Sequence, residues 1–141
     1  MIRSALVGLT VVLALAAPVP TAAQDCLHGA NETAEEKARR LGALRAMREI
    51  NTLQANRPEA REGKYLGQPE MAVWYADLVK QKGVPNSLIF DPAGEVIPGW
   101  QLTLNKTENG YWFMIKDKAD PCGFAYISNQ AGIIYTAEPI R

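Results

Sequence analysis

The hydrophobic period of this chain changes once, at Pro85, and that change limits what the chain can fold into. Before Pro85 apolar residues recur at helical spacing; after it they alternate or run together as strands do. From Ala34 to Ala55 there is no proline and one glycine, Gly42. Ala43, Met47, Ile50 and Gln54 follow the i, i+4, i+7 spacing, widened by Leu41, Leu44 and Leu53. Arg40, Arg45, Arg48 and Glu49 hold the margins of the other side. The spacing predicts an amphipathic helix of about six turns. Asn31 or Thr33 caps it, and Glu35 and Glu36 sit in the first turn, where the helix dipole favours anions. Pro58 ends it.

Arg57 to Pro69 is polar and reads as a loop, with Gly63 and Gly67 framing Lys64-Tyr65-Leu66. Glu70 to Lys82 is a second, shorter helical pattern: Met71, Trp74, Tyr75, Leu78 and Val79 share a face, and Gly83 and Pro85 close it. Beyond Pro85, Ser87 to Phe90 is a short apolar run, and Asp91-Pro92-Ala93-Gly94 is a turn sequence. Trp100, Leu102 and Leu104 alternate with Gln101, Thr103 and Asn105, as a half-buried strand requires. Asn109-Gly110 signals a hairpin. Tyr111 to Lys116 is nearly all apolar, the mark of a central strand, and Asp117 to Pro121 is a loop. Cys122 to Ser128 and Ile133 to Ala137 complete an antiparallel meander. The expected fold is α+β: a long N-terminal amphipathic helix packed on a C-terminal antiparallel β-meander.

The start of the chain has the three-part form of a secretory signal. One charge, Arg3, precedes an uncharged, mostly apolar run from Ala5 to Ala17 that Pro18 and Pro20 break. Small residues, Thr21-Ala22-Ala23, come next. Residues 1–23 read as a signal peptide cut before Gln24, and residues 24–141 as a single domain. The run is short for a membrane span, which takes about 20 residues, and no later segment is long and apolar enough. The expected location is therefore secreted or periplasmic, with no transmembrane segment after cleavage. Fifteen basic and fifteen acidic residues give a formal net charge of zero, which supplies no general pull toward nucleic acid. Two cysteines, Cys26 and Cys122, remain in the exported chain. An even count in an oxidising compartment favours a disulfide over a metal pair or free thiols. Closing so long a loop stabilises by roughly 4–5 kcal/mol in the chain-entropy model.

Few side chains offer chemistry. His28, the one histidine, lies beside Cys26 near the mature terminus and reads as solvated rather than catalytic. Asp91, Asp117 and Asp120 read as turn formers, without a calcium-loop pattern. One histidine and two cysteines make a poor zinc site, so no metal and no cofactor is expected. Asn31-x-Thr33 and Asn105-x-Thr107 fit the N-glycosylation pattern, which matters only in a host that glycosylates. Aromatics carry the remaining interest: Trp74, Trp100, Tyr111 and Trp112 form the candidate interaction surface.

The order of helix, connection and meander resembles bacterial type IV pilins and type II secretion pseudopilins. Ala46-Met47-Arg48-Glu49-Ile50-Asn51-Thr52-Leu53-Gln54-Ala55 resembles the helix segment of pilin-like proteins, and Gly63-Lys64-Tyr65 the Gly-x-Tyr that comes after it. Gly110-Tyr111 and Ala131-Gly132-Ile133-Ile134-Tyr135 resemble the closing sheet. The similarity spans Ala34 to Ala137. One departure is marked: a conventional cleavable signal stands where pilins carry the apolar helix that anchors and polymerises them. The resemblance implies a non-enzymatic protein acting by protein–protein contact, as an accessory or pilin-like subunit, with an envelope or secretion-system protein as partner. The alternative is a small secreted enzyme or small-ligand binder using the aromatic surface around Trp100 and Trp112.

Overall fold

A helix needs its first N–H groups satisfied, and Thr33 supplies the means. In the structure, a computed structural model that describes residues 26–90 and 94–138, helix α1 runs Ala34–Ala55. The Glu36 amide donates to Thr33 Oγ1 (3.2 Å), and the Thr33 amide donates to the Glu36 carboxylate (2.7 Å), a reciprocal capping box. Ala43, Ala46, Met47, Ile50 and Gln54 are its buried residues. A five-residue 3-10 helix, Pro58–Glu62, fills part of the segment expected as loop. Helix α2, Gln68–Lys82, starts two residues before the expected Glu70 and buries Met71 and Tyr75. Gly83 ends it at φ 61°, a left-handed position that costs glycine nothing. The expected signal peptide, residues 1–23, and the expected turn residue Asp91 lie outside the described residues.

Five strands complete the domain: β1 Glu95–Ile97, β2 Trp100–Lys106, β3 Tyr111–Asp117, β4 Ala125–Asn129 and β5 Tyr135–Ala137. They form one antiparallel sheet in sequence order, β1-β2-β3-β4-β5. The Asn109-Gly110 turn joins β2 to β3, with the Thr107 amide donating to the Gly110 carbonyl (2.9 Å). No strand forms over Ser87–Phe90; its one ladder-like bond is the Ile89 amide to the Val96 carbonyl (2.7 Å). Strand β4 begins at Ala125 and not at Cys122, because Asp120 takes the amides of Cys122 (2.9 Å) and Phe124 (3.2 Å) into a tight turn.

Alternation along the strands separates two faces. Trp100, Leu102, Leu104, Tyr111, Phe113, Ile115 and Tyr126 point inward and join the buried residues of both helices in one apolar cluster. The register sets Thr103 opposite Met114, Met114 opposite Ile127 and Ile127 opposite Tyr135, one row across the outer face.

The expected plan of one long N-terminal helix lying along a meander in pilin fashion is overturned. Helical content divides between elements of 22 and 15 residues, and the sheet has five strands. The cause is local: Thr33 caps α1 at its start, and Pro58, Gly67 and Gly83 punctuate the chain beyond its end. Met71 and Tyr75 of α2 then supply part of the core that a single helix was expected to fill. The coarser description stands, an α+β fold with two helices and one antiparallel sheet.

Candidate functional site

The described residues ahead of α1, 26–33, have no regular secondary structure, so side chains and a covalent bond must hold them. A disulfide joins Cys26 to Cys122, with Cα atoms 5.3 Å apart and 96 positions of sequence between them. The Leu27 amide donates to Asp120 (3.3 Å), and Asp120 thereby gathers three backbone N–H groups. This fixes the point where His28 enters the protein.

His28 is 5 % exposed, not solvated as its position in the sequence suggested. Its ring stacks on Trp100 (5.7 Å between centroids) and tilts against Phe124 (4.6 Å). Nδ1 lies 2.9 Å from Glu32 Oε1, and Nε2 lies 2.8 Å from Asp117 Oδ2. Each nitrogen faces a carboxylate oxygen, so both ring nitrogens are engaged within the protein. The other Asp117 oxygen accepts from Arg39 Nη2 (2.8 Å) and from the Ala119 amide (2.9 Å). Arg40 forks onto Glu32 through Nε (2.7 Å) and Nη2 (2.8 Å), the bidentate geometry that guanidinium and carboxylate share. Those Arg40 bonds, with a smaller contribution from His28, hold the Glu32 carboxyl down at about 2, well below its usual range. The same pair raises Arg40 further above its already high value.

A cleft of about 650 Å³ opens beside this cluster, lined in part by Cys26, His28, Glu36, Asp120, Cys122 and Phe124. Asn31 and Glu138 complete the lining, and its buried polar groups are engaged, both His28 nitrogens by carboxylates and Asp120 by amides, as is Glu36 by the Thr33 amide. Catalysis needs a base or nucleophile with a free lone pair aimed at substrate, and these groups direct theirs inward. Ligating atoms of Cys26, Asp120 and Cys122 lie within 4.8 Å of one another, a spacing a metal ion accepts. The two sulfurs are bonded to each other, however, and it is the thiolate that ligates.

Neutral groups close the opposite end of the helix–sheet layer. Asn51 Nδ2 donates to Ser128 Oγ (2.9 Å), and the Tyr111 hydroxyl donates to Asn51 Oδ1 (2.9 Å). Burial pushes the Tyr111 hydroxyl up to about 12, with the nearby Tyr65 hydroxyl adding to it. Fully buried Gln54 pairs reciprocally with Leu66, donating to its carbonyl (2.7 Å) and accepting from its amide (3.1 Å). Beyond it, the Arg57 guanidinium lies 5.9 Å over the Trp74 ring.

The four aromatic residues singled out by sequence do not share a surface. Trp100 and Tyr111 are in the core, and Trp74 packs half-buried on α2. Trp112 points the other way and is 42 % exposed. Trp100 and Trp112 therefore lie on opposite sides of the sheet. On the same face as Trp112 the structure assembles residues that sequence did not single out: half-buried Met114, and exposed Ile127 and Tyr135. Register made them neighbours, and the unbroken apolar run Tyr111–Ile115 gave no alternation to reveal it. No family model, curated protein or solved structure matches this chain.

Proposed function

We propose that this chain is an extracytoplasmic, non-enzymatic protein that works by protein–protein contact through the outer face of its sheet. The observation that carries this reading is the row Thr103–Met114–Ile127–Tyr135, with Trp112 beside it, on the face that neither described helix covers. A contiguous apolar patch on a small domain is costly to leave wet and marks a contact site. Aromatic and methionine side chains are those that interfaces favour. Engagement of the charged cluster by its own internal partners supports a role without catalysis. The Cys26–Cys122 disulfide is consistent with an extracytoplasmic location. No described helix is long and apolar enough to cross a membrane. Export by residues 1–23 belongs to this reading, as does a partner from the same compartment, an envelope or secretion component.

Photo-crosslinking from two positions tests it. A crosslinker replacing Trp112 is expected to capture a partner protein in the native compartment; one replacing exposed Arg48 on α1 is not. Equal capture from both positions, or none from Trp112, removes the outer face from consideration.

A further inference from the structure

Cys26, Asp120 and Cys122 meet in the wall of the cleft beside His28. Their ligating atoms, two sulfurs and a carboxylate oxygen, lie within 4.8 Å of one another. In a tetrahedral zinc site, bonds of about 2.3 Å to sulfur and 2.0 Å to oxygen set the ligand atoms about 3.5–4 Å apart. Asp120 is no surface carboxylate, being 6 % exposed. Its Oδ1 accepts from the amides of Leu27 and Cys122, and its Oδ2 accepts from Phe124 alone, which leaves Oδ2 a lone pair. These bonds tie the backbone beside both cysteines to one carboxylate and do not depend on the bond between the sulfurs. Both cysteines are half-buried and line the cleft, so an attacking thiolate can reach a sulfur.

The geometry points to a second state of this tether: a reduced form in which Cys26, Cys122 and Asp120 together hold one zinc ion. The cleft leaves the fourth coordination position to solvent. A dithiol reductant opens the site. Its thiolate attacks one sulfur and its second thiol completes the exchange; the Cys26–Cys122 bond breaks, a disulfide forms in the reductant, and two electrons and two protons pass to the cysteines. Zinc then displaces both protons as the thiolates ligate. The donor set selects the metal. Calcium and magnesium take oxygen ligands and would find one protein oxygen here. Copper(I) is satisfied by the two thiolates and has no use for a carboxylate. Zinc accepts both sulfur and carboxylate oxygen, and takes three protein ligands beside an open position. The start of the chain is then pinned in both states, by a covalent bond or by an ion. This site is separate from the outer face of the sheet and does not rest on a partner there.

Zinc titration before and after reduction by dithiothreitol without denaturant is the test, the reductant being removed anaerobically. The oxidised protein is expected to bind none. The reduced protein is expected to bind one ion per chain with a dissociation constant of about 1 µM or tighter, three ligands falling short of the four in structural sites. Cobalt(II) in place of zinc is expected to show thiolate charge-transfer absorption and the intense visible bands of a tetrahedral ion. Asp120→Asn is expected to weaken zinc about tenfold or more and copper(I) less than about twofold. Because Asp120 also shapes its turn, Cys122→Ser is the second variant; it keeps the carboxylate and is expected to weaken zinc by about a hundredfold. Near-ultraviolet dichroism checks the folding of both. A disulfide that dithiothreitol opens only in denaturant overturns the inference, as does a reduced protein without zinc affinity. So does equal zinc binding by the oxidised protein, affinity that survives Cys122→Ser, or affinity that Asp120→Asn leaves unchanged, which would mean that the thiolates alone bind.

Discussion

At the Thr33 end of α1 the space between helix and sheet is closed by ions, and toward its Asn56 end by neutral amides and hydroxyls. The first holds two carboxylates, two guanidiniums and an imidazole; the second holds Asn51, Ser128, Tyr111 and Gln54. Burying ions costs more than burying amides, and removing one partner exposes that cost. The ionic end is also the end where the described residues ahead of α1 lack regular structure and carry the disulfide. Ionic closure is thus coupled to a covalent tether, whereas the neutral closure sits between two regular elements that need none.

The tether should show the largest effect. Replacing Cys26 and Cys122 with serine is expected to lower stability by about 4 kcal/mol, read by urea unfolding. Amide exchange should speed up at Leu27 and leave the Leu66 amide protected. Equal loss at both would mean that the two ends are not separate.

Next is Asp117→Ala, which leaves the Arg39 guanidinium without its counter-charge and His28 Nε2 without its partner at a fully buried position. The expected cost is about 3 kcal/mol, the low end for a buried pair because the Arg39 side chain is 32 % exposed. The matching change at the neutral end, Asn51→Ala, should cost about 1–3 kcal/mol, because a lost partner there strands a hydroxyl and not a charge. Equal unfolding midpoints for the two variants would erase the distinction.

Titration should separate the ends most finely. Glu32 is held down at about 2 against an ordinary 4.5, so its contribution is present above 4.5 and is lost as pH falls from there toward 2. Tyr111 is pushed up to about 12 against an ordinary 10.0, so its contribution is present below 10.0 and is lost as pH rises toward 12. Acid should therefore loosen the His28 end first, and alkali the Tyr111 end first, as seen in the amide exchange of Leu27 and Leu66. The reverse order in either limb contradicts the comparison.

How far these features could be read in advance depends on how local their causes are. The bounds of α1 come from Thr33, Pro58 and a run without breakers, and the β2–β3 hairpin comes from Asn109-Gly110. The disulfide was accessible from a count of two cysteines and the exported reading of the chain. His28 was not legible: its partner Asp117 is 89 positions away, and no periodic pattern contains it. Strand β1 was missed because three residues beside a bulge carry no period. The outer patch was missed because Tyr111–Ile115 is apolar at every position, so sequence could not say whether Tyr111 or Trp112 faces in. The pilin plan failed for a related reason, since short helix and turn texts do not say how many helices share the core.

The Cys26–Cys122 bond also has a mechanical consequence. Both helices and strands β1 to β3 lie inside the covalent ring it closes, whereas β4 and β5 lie outside it. Tension pulled along the chain across that bond passes directly from one cysteine to the other and bypasses everything between them. Under load, among the described elements only β4 and β5 can be drawn out, so the part of the sheet that carries Ile127 and Tyr135 is the part that yields first.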